Sequence, residues 1–284
     1  MRPSHAPDDD EGVARATSTV LRAPAKLTRQ LRVTGRRGDG YHLLDAEMVA
    51  VDLYDDLEIT AGASTSLDVV DAVDWVGPEG ESSSPPDGSD TVGPNLVAVA
   101  LDVCGRTAQV RLTKRIPAGA GLGGGSSDAA AVLRWAGCRD LAVAAQIGAD
   151  VPFCLDGGRA RVGGIGELIE PLDYEPTDFL LVVPRLHVST PAVYSAWDLL
   201  DGPKGEHGND LEVAALVAEP GLGWWRDLIA AVAGQRPMLA GSGGTWWIEG
   251  ERSRLESLEG ELLAAIGAEG EAGLVKLVRA VPAY

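Results

Sequence analysis

The sequence has no uninterrupted run approaching 18 apolar residues, which excludes an ordinary membrane-spanning helix. Its first twenty residues carry Asp8, Asp9, Asp10 and Glu11 instead of the basic start and apolar stretch of a secretory leader, so a cytoplasmic protein is expected. Cysteine is scarce. Cys104, Cys138 and Cys154 are odd in number and have no second Cys or His at metal-ligand spacing, so neither a disulfide framework nor a zinc site is expected. Cations are also few: 24 Lys and Arg face 42 Asp and Glu, and the formal net charge is -18. Such a surface repels polyanions at long range, which argues against nucleic acid or an anionic membrane as partner.

What remains is an ordinary globular composition. With 284 residues and a 45% hydrophobic share, the chain can bury a sizeable core in one large or two medium domains. Residues 1–17 are acidic, Pro- and Ser-containing and aperiodic, as in a disordered tail. Ser18 to Val33 and Met48 to Ile59 have strand-type composition or alternation, with turn chemistry at Gly35 to Gly40 between them. Gly77 to Pro94 reads as a loop, Asn95 to Val103 as a helix and Ala108 to Lys114 as a strand. Phe179 to Val183 is expected to open a second domain over 176–284, with helices at Asn209 to Val217 and Leu255 to Ile266 and a glycine turn entering a strand over Gly241 to Ile248.

The most informative segment is Pro117 to Ser127, PAGAGLGGGSS, with five glycines in eleven residues. Missing Cβ atoms let a backbone wrap closely around a ligand and turn its N–H groups toward oxygen anions. A helix starting near Ser126 would add its own free N–H groups and positive dipole end. A plain flexible turn is the alternative, but it leaves the flanking strand and helix unexplained. There is no G-x-x-x-x-G-K-S/T, and the G-x-G-x-x-G spacing at Gly119 is weak alone. An acidic protein that binds phosphates must concentrate its cations there, and two of its four lysines, Lys26 and Lys114, lie in or near such segments.

This loop resembles the P-x-x-x-G-L-G-S-S motif of the GHMP kinases. Residues 23–44, APAKLTRQLRVTGRRGDGYHLL, resemble the opening motif of the branch that phosphorylates 4-diphosphocytidyl-2-C-methyl-D-erythritol. GADVPF (148–153), GGRARVGGIGE (157–167), NDL (209–211) and GSGGT (241–245) follow in family order. The resemblance implies an α+β, two-domain GHMP kinase fold, with a ribosomal-protein-S5-like N-terminal domain over 18–175 and a ferredoxin-like C-terminal domain. It implies ATP and Mg2+ as cofactors and a cytidylated methylerythritol as the small-molecule substrate. Monomer and homodimer both stay open.

The resemblance makes Asp150 the general base and Lys26 its cationic partner; a structural salt bridge or helix cap, and a surface strand residue, are the alternatives. It assigns Pro117, Ala118, Gly119, Ala120, Gly121, Leu122, Gly123, Gly124, Gly125, Ser126 and Ser127 to ATP, with Asn95 and Lys114 near the adenosine. Tyr41 and His42 fall at the cytidine end, where the alternative is a solvent-exposed turn, and Tyr194 supplies a second aromatic, where core packing is the alternative. Thr28 stands where the family carries Asn, and Arg29 and Gln30 where an apolar pair is expected. Gly241, Ser242 and Gly243 would form a second glycine loop near substrate or phosphates. Ala129 to Ile147 is shorter than its family counterpart, so a displaced helix could move Asp150. Another GHMP kinase, or a catalytically weakened nucleotide-binding relative, are the rival readings.

Overall fold

The computed structural model describes residues 17–77 and 94–284. Residues 1–16 of the expected tail and 78–93 of the expected loop lie outside the described residues.

Two long strands, β1 (Ser18–Arg36) and β2 (His42–Ala61), form an antiparallel hairpin whose turn is residues 37–41, later than the expected Gly35 to Gly40 because Gly35 and Arg36 still pair with Leu43 and His42. β1 occupies one edge of β2 along its whole length, while the other edge is shared. There β5 (Arg159–Gly164) takes residues 44–49 and β4 (Ala108–Lys114) takes residues 56–61. β3 (Ser66–Asp71) extends the sheet in parallel beyond β4, and β6 (Leu168–Leu172) extends it beyond β5. The gap between β4 and β5 is filled by the end of the chain: Val51 bridges Ala280, and Gly157 bridges Ala283.

Residues 23–28 of β1 are buried without alternation, as expected for a strand covered on both faces. Side chains two apart share a face. Ala25 and Leu27 therefore enter the smaller apolar core with Val49, Val51 and Ile116, while Lys26 and Thr28 point the other way. Register shifts at Pro24/Ala25 and Thr28/Gln30 mark where this segment departs from a regular ladder.

Helices α1 (Leu96–Val103), α2 (Gly124–Trp135), α3 (Leu141–Ile147) and α4 (Val151–Asp156) cluster together, with α2 also packed on β1. The segment expected to be trimmed thus retains a helix, a turn and a short second helix before Asp150. The second sheet runs β10 (Gly273–Arg279), β7 (Asp178–Pro184), β9 (Trp246–Glu249), β8 (Met238–Leu239), all antiparallel. Helices α5 (Thr190–Leu199), α6 (Glu212–Ala218), α7 (Gly221–Ala233) and α8 (Arg252–Glu269) accompany it. No helix among the described residues is long and apolar enough to cross a membrane.

Candidate active site

The glycine loop joins β4 to α2, but α2 begins at Gly124, two residues before the expected Ser126. Packing explains the difference. A Cβ on Gly123 would lie 2.6 Å from Lys26 Cγ, and one on Gly124 would lie 3.0 Å from Ile116 Cγ2. Gly123 precedes the helix at φ 67°, a left-handed conformation that glycine adopts without steric cost. The lysine stem therefore lies against the start of α2, and Lys26 N–H donates to Leu122 O at 2.9 Å.

From that position Lys26 Nζ is 3.2 Å from Asp150 Oδ2 and donates to Thr28 Oγ1 at 3.3 Å. Lys26 is 6% exposed, so an unpaired ammonium there would be costly. Asp150 sits just before α4 but makes no side-chain capping hydrogen bond, which leaves its carboxylate to Lys26. Its backbone is braced from behind. A Cβ on Gly166 would lie 2.3 Å from Ala149 O, so the turn after β5 packs directly under the residue before the carboxylate. The Ala129 to Ile147 stretch as it stands leaves Asp150 within reach of Lys26.

The second glycine loop closes over the first. A Cβ on Gly121 would lie 2.5 Å from Gly243 O, while Thr245 donates to Ala120 O through its N–H at 3.2 Å and its hydroxyl at 2.7 Å. Gly241 stands beside Thr28 Oγ1 and Lys26 Nζ, at 3.6 and 3.9 Å from its built Cβ. Ser242 shares a 2.9 Å hydroxyl contact with Thr190 at the start of α5. Buried Asn209 fixes this arrangement, donating to Leu239 O and Gly241 O at 2.9 and 2.7 Å while its Oδ1 accepts from Leu211 N–H. Asp210 beside it accepts from Arg32 and from the N–H groups of Val33 and Gly205. The NDL stretch is thus a staple between β1 and the second loop. Trp246 and Trp247 are buried in the core, as packing residues are.

The remaining expected site residues separate into groups. His42 Nε2 lies 2.8 Å from Asp198 Oδ1, and its ring stacks on Tyr194 at 4.8 Å between centroids and meets Trp197 edge-on at 5.4 Å. Burial, with Asp150 nearby, pushes the Tyr194 hydroxyl up to about 12. Tyr41 stands apart at the hairpin turn, 60% exposed beneath the Arg37 guanidinium. Asn95 caps α1 through a 2.9 Å bond from Val97 N–H. Lys114 Nζ is held between Asp55 and Asp128.

Asp198, Trp197 and Asp55 escaped the sequence reading, and Thr245 was read only as the end of the GSGGT motif, with no role of its own. Asp198 had a usable signal, since it follows Tyr194 by four residues and so shares its helix face. An open cleft of about 690 Å³ lies elsewhere and is lined by Arg22, Asp52, Tyr54, Asp56, Arg115 and Lys276 among others. It lacks the converging glycine backbone and the lysine–carboxylate pair, so chemistry and not volume singles out the loop site.

The chain is similar in sequence and in fold to known kinases. Residues 95–158 match the family model described as the GHMP kinases N terminal domain. The chain is 37% identical over 262 residues to a 4-diphosphocytidyl-2-C-methyl-D-erythritol kinase from Paramagnetospirillum magneticum, covering 81% of this chain and 88% of that protein. A protein of the same name from Paracoccus denitrificans is 38% identical over 244 residues, covering 78% and 84%. Among solved structures, a 4-(cytidine 5'-diphospho)-2C-methyl-D-erythritol kinase superposes with a TM-score of 0.66 at 30% identity, over 92% of this chain and 99% of that one. A homoserine kinase from Cytophaga hutchinsonii shares the fold at a TM-score of 0.61 and 16% identity, over 94% of this chain and 95% of that one. The chain belongs to the GHMP kinases, in the family of 4-diphosphocytidyl-2-C-methyl-D-erythritol kinases.

Proposed function

We propose that this kinase transfers the γ-phosphoryl group of ATP to the 2-hydroxyl of 4-diphosphocytidyl-2-C-methyl-D-erythritol, as a cytoplasmic enzyme of the non-mevalonate isoprenoid route. One observation carries the reading: the 3.2 Å Lys26–Asp150 pair lies against the glycine loop where it enters α2, with Asp150 free of any capping duty.

In this mechanism Asp150 accepts the proton of the attacking hydroxyl, a task that requires a carboxylate within hydrogen-bond reach. Lys26 orients that carboxylate and offsets negative charge that develops on the transferred group. Free N–H groups of the glycine loop, residues 117–127, and of the first turn of α2 cradle the triphosphate, and the glycines at 121, 123 and 124 let that loop pack closely against the second loop, Lys26 and Ile116. Thr28, hydrogen-bonded to Lys26, offers one hydroxyl to the acceptor where the family's amide is longer. Tyr41, His42 and Tyr194 are the proposed recognition elements for the cytidine end, with His42 oriented by Asp198. Gly241, beside Thr28, is proposed to line the acceptor side together with Ser242 and Gly243. We also propose a division between the two domains at residues 175/176, since β6 ends at Leu172 and β7 begins at Asp178.

Among the described residues no three His, Cys, Asp or Glu side chains converge so as to hold a metal ion. Magnesium is therefore proposed only as an ion carried by the triphosphate oxygens, and no step is assigned to it.

The test is a phosphorylation assay of the purified protein with the cytidylated methylerythritol beside homoserine, mevalonate and uncytidylated methylerythritol. The reading requires turnover of the first and far slower turnover of the others. Phosphorylation of another alcohol at equal efficiency would overturn the substrate, and ATP binding without transfer to any alcohol would overturn the enzyme.

A further inference from the structure

Lys114, the last residue of β4, is expected near adenosine, but its ammonium is turned inward. It donates to Asp55 Oδ2 and to Asp128 Oδ2, the latter at 2.7 Å. Asp55 is fully enclosed, and its second oxygen accepts the N–H groups of Arg115 and Ile116 at 2.5 and 2.9 Å. Those two residues lead directly into Pro117, so Asp55 fixes the entry to the loop. Asp128 lies in the first turns of α2, and a Cβ on Gly124 would stand 3.1 Å from Lys114 Nζ. One ammonium thus brackets the strand that enters the loop and the helix that leaves it.

The charges in this cluster do not cancel. Two carboxylates share one lysine, which leaves one negative charge uncompensated in a buried place beside the helix end that receives the phosphates. The groups that face Asp128 are Lys114 of β4, Asp55 of β2 and the neutral Cys154 thiol of α4. Lys26 of β1 lies across Gly123 but is paired with Asp150. The other helices packed on α2 bury apolar residues: Val97, Ala100 and Leu101 of α1, and Ala144 and Ile147 of α3. Asp128 Oδ1 and the neighbouring Ser127 Oγ are enclosed without a hydrogen-bond partner among the described residues. A carboxylate oxygen in that position is costly to leave ionised and bare.

We propose that Asp55, Lys114 and Asp128 form a buried positioning triad for the phosphate loop, and that Asp128 takes up a proton when a nucleotide polyphosphate binds at the start of α2. Lys114 then serves the nucleotide through the loop and not by direct contact. Burial, only partly countered by Lys114, pushes the Asp128 carboxyl up to about 7, while the two carboxylates outweigh burial and keep the Lys114 ammonium raised. A proton on Asp128 makes the triad neutral and removes its repulsion of the incoming phosphates, so protonation and nucleotide affinity must be linked reciprocally. The inference rests on the reading of residues 117–127 as a phosphate loop.

The experiment is calorimetric titration of MgATP into the full-length protein at pH 8, where the nucleotide is already ionised, in two buffers of different ionisation enthalpy. The wild-type protein should take up a substantial fraction of one proton per nucleotide, and Asp128→Asn, a permanently neutral mimic, should take up none. In steady state, the ATP KM of the wild type should rise by up to about tenfold per pH unit above pH 7, with a much flatter profile in the variant and far smaller changes in kcat. A merely structural role would lower the Tm of Asp128→Asn without altering its proton count. Should that variant not fold, the wild-type count alone decides, and zero uptake at pH 8 overturns the proposal. Equal uptake in both proteins overturns it as well. Binding without proton uptake sinks this inference alone, whereas no MgATP binding at all sinks the phosphate-loop reading with it.

Discussion

Gly123→Ala is the substitution whose effect can be worked furthest from the structure. The new Cβ would stand 2.6, 3.0 and 3.4 Å from Cγ, Cε and Cδ of Lys26, at a backbone φ of +67°. A side chain in the left-handed region costs about 1–2 kcal/mol. Overpacking adds about 1–3 kcal/mol, for a combined loss of roughly 2–5 kcal/mol. For a chain of this size each kcal/mol lowers Tm by about 2–4 °C, so a fall on the order of 10 °C is expected. To restore ordinary contact the lysine stem must retreat by about 1 Å, and a misplacement of that size at reacting groups costs roughly a hundredfold in rate. Because Lys26 Nζ is 3.2 Å from Asp150 and is 3.3 Å from Thr28, the retreat disturbs both partners. The assay pairs thermal melts with kcat for the cytidylated substrate. Gly105→Ala is the control: its φ is +59°, but nothing lies within 4 Å of the new Cβ, so it should lose stability by the backbone term alone and keep its kcat. Undiminished kcat in a well-folded Gly123→Ala, or an equal loss in Gly105→Ala, would refute the coupling of loop to lysine.

Asp150→Asn should retain ATP binding while kcat falls by a factor on the order of a hundred or more, and comparable turnover would remove Asp150 from proton transfer. Tyr41→Ala should raise the KM for the cytidylated acceptor with little change in kcat, because Tyr41 stands exposed and away from the Lys26–Asp150 pair; an effect confined to the ATP KM would place it at the other end of the site. Asn209→Ala removes two hydrogen bonds that hold Leu239 O and Gly241 O in a buried place, and should cost about 2–4 kcal/mol in denaturant titrations together with a loss of activity. The hydrogen bonds from Arg279, and then Arg252, hold the Asp178 carboxyl below its usual range despite some burial. Its contribution is therefore present above the unfolded-state value of about 3.9 and lost as pH falls through the lower folded value. Asp178→Asn should accordingly lower Tm at pH 7 but make little difference near pH 2, as scanning calorimetry can check.

Local features were legible where composition alone constrains the backbone. The glycine loop, strand β4 and the GRRGDG turn could be read because glycine clusters, alternation and turn residues act over a few neighbours. Helix α7 was missed: GLGWWRDLIAAVA opens with two glycines and two tryptophans, and its regularity comes from burying Leu222, Trp225 and Ile229 against the rest of the core. The six-residue α4 and the two-residue β8 are too short to carry a clear period. Arg29, polar where an apolar residue was expected, is explained by Glu47, Glu175 and Glu249, which come from three distant segments to meet its guanidinium.

The sequence by itself determined the glycine loop, the order of the motifs and hence the family, because each of these is written in contiguous residues whose steric and hydrogen-bonding properties need no partner. The tertiary structure alone decided what the charged groups are for. Lys26 and Lys114 look alike on paper, yet one emerges beside Asp150 next to the loop and the other is clasped by Asp55, 59 residues away, and by Asp128. Nothing local distinguishes them. An ion pair depends on which side chains the folded backbone carries to within a few ångströms, and in this protein that follows from how β1, β2 and β4 pair and from where α2 and α4 pack on them.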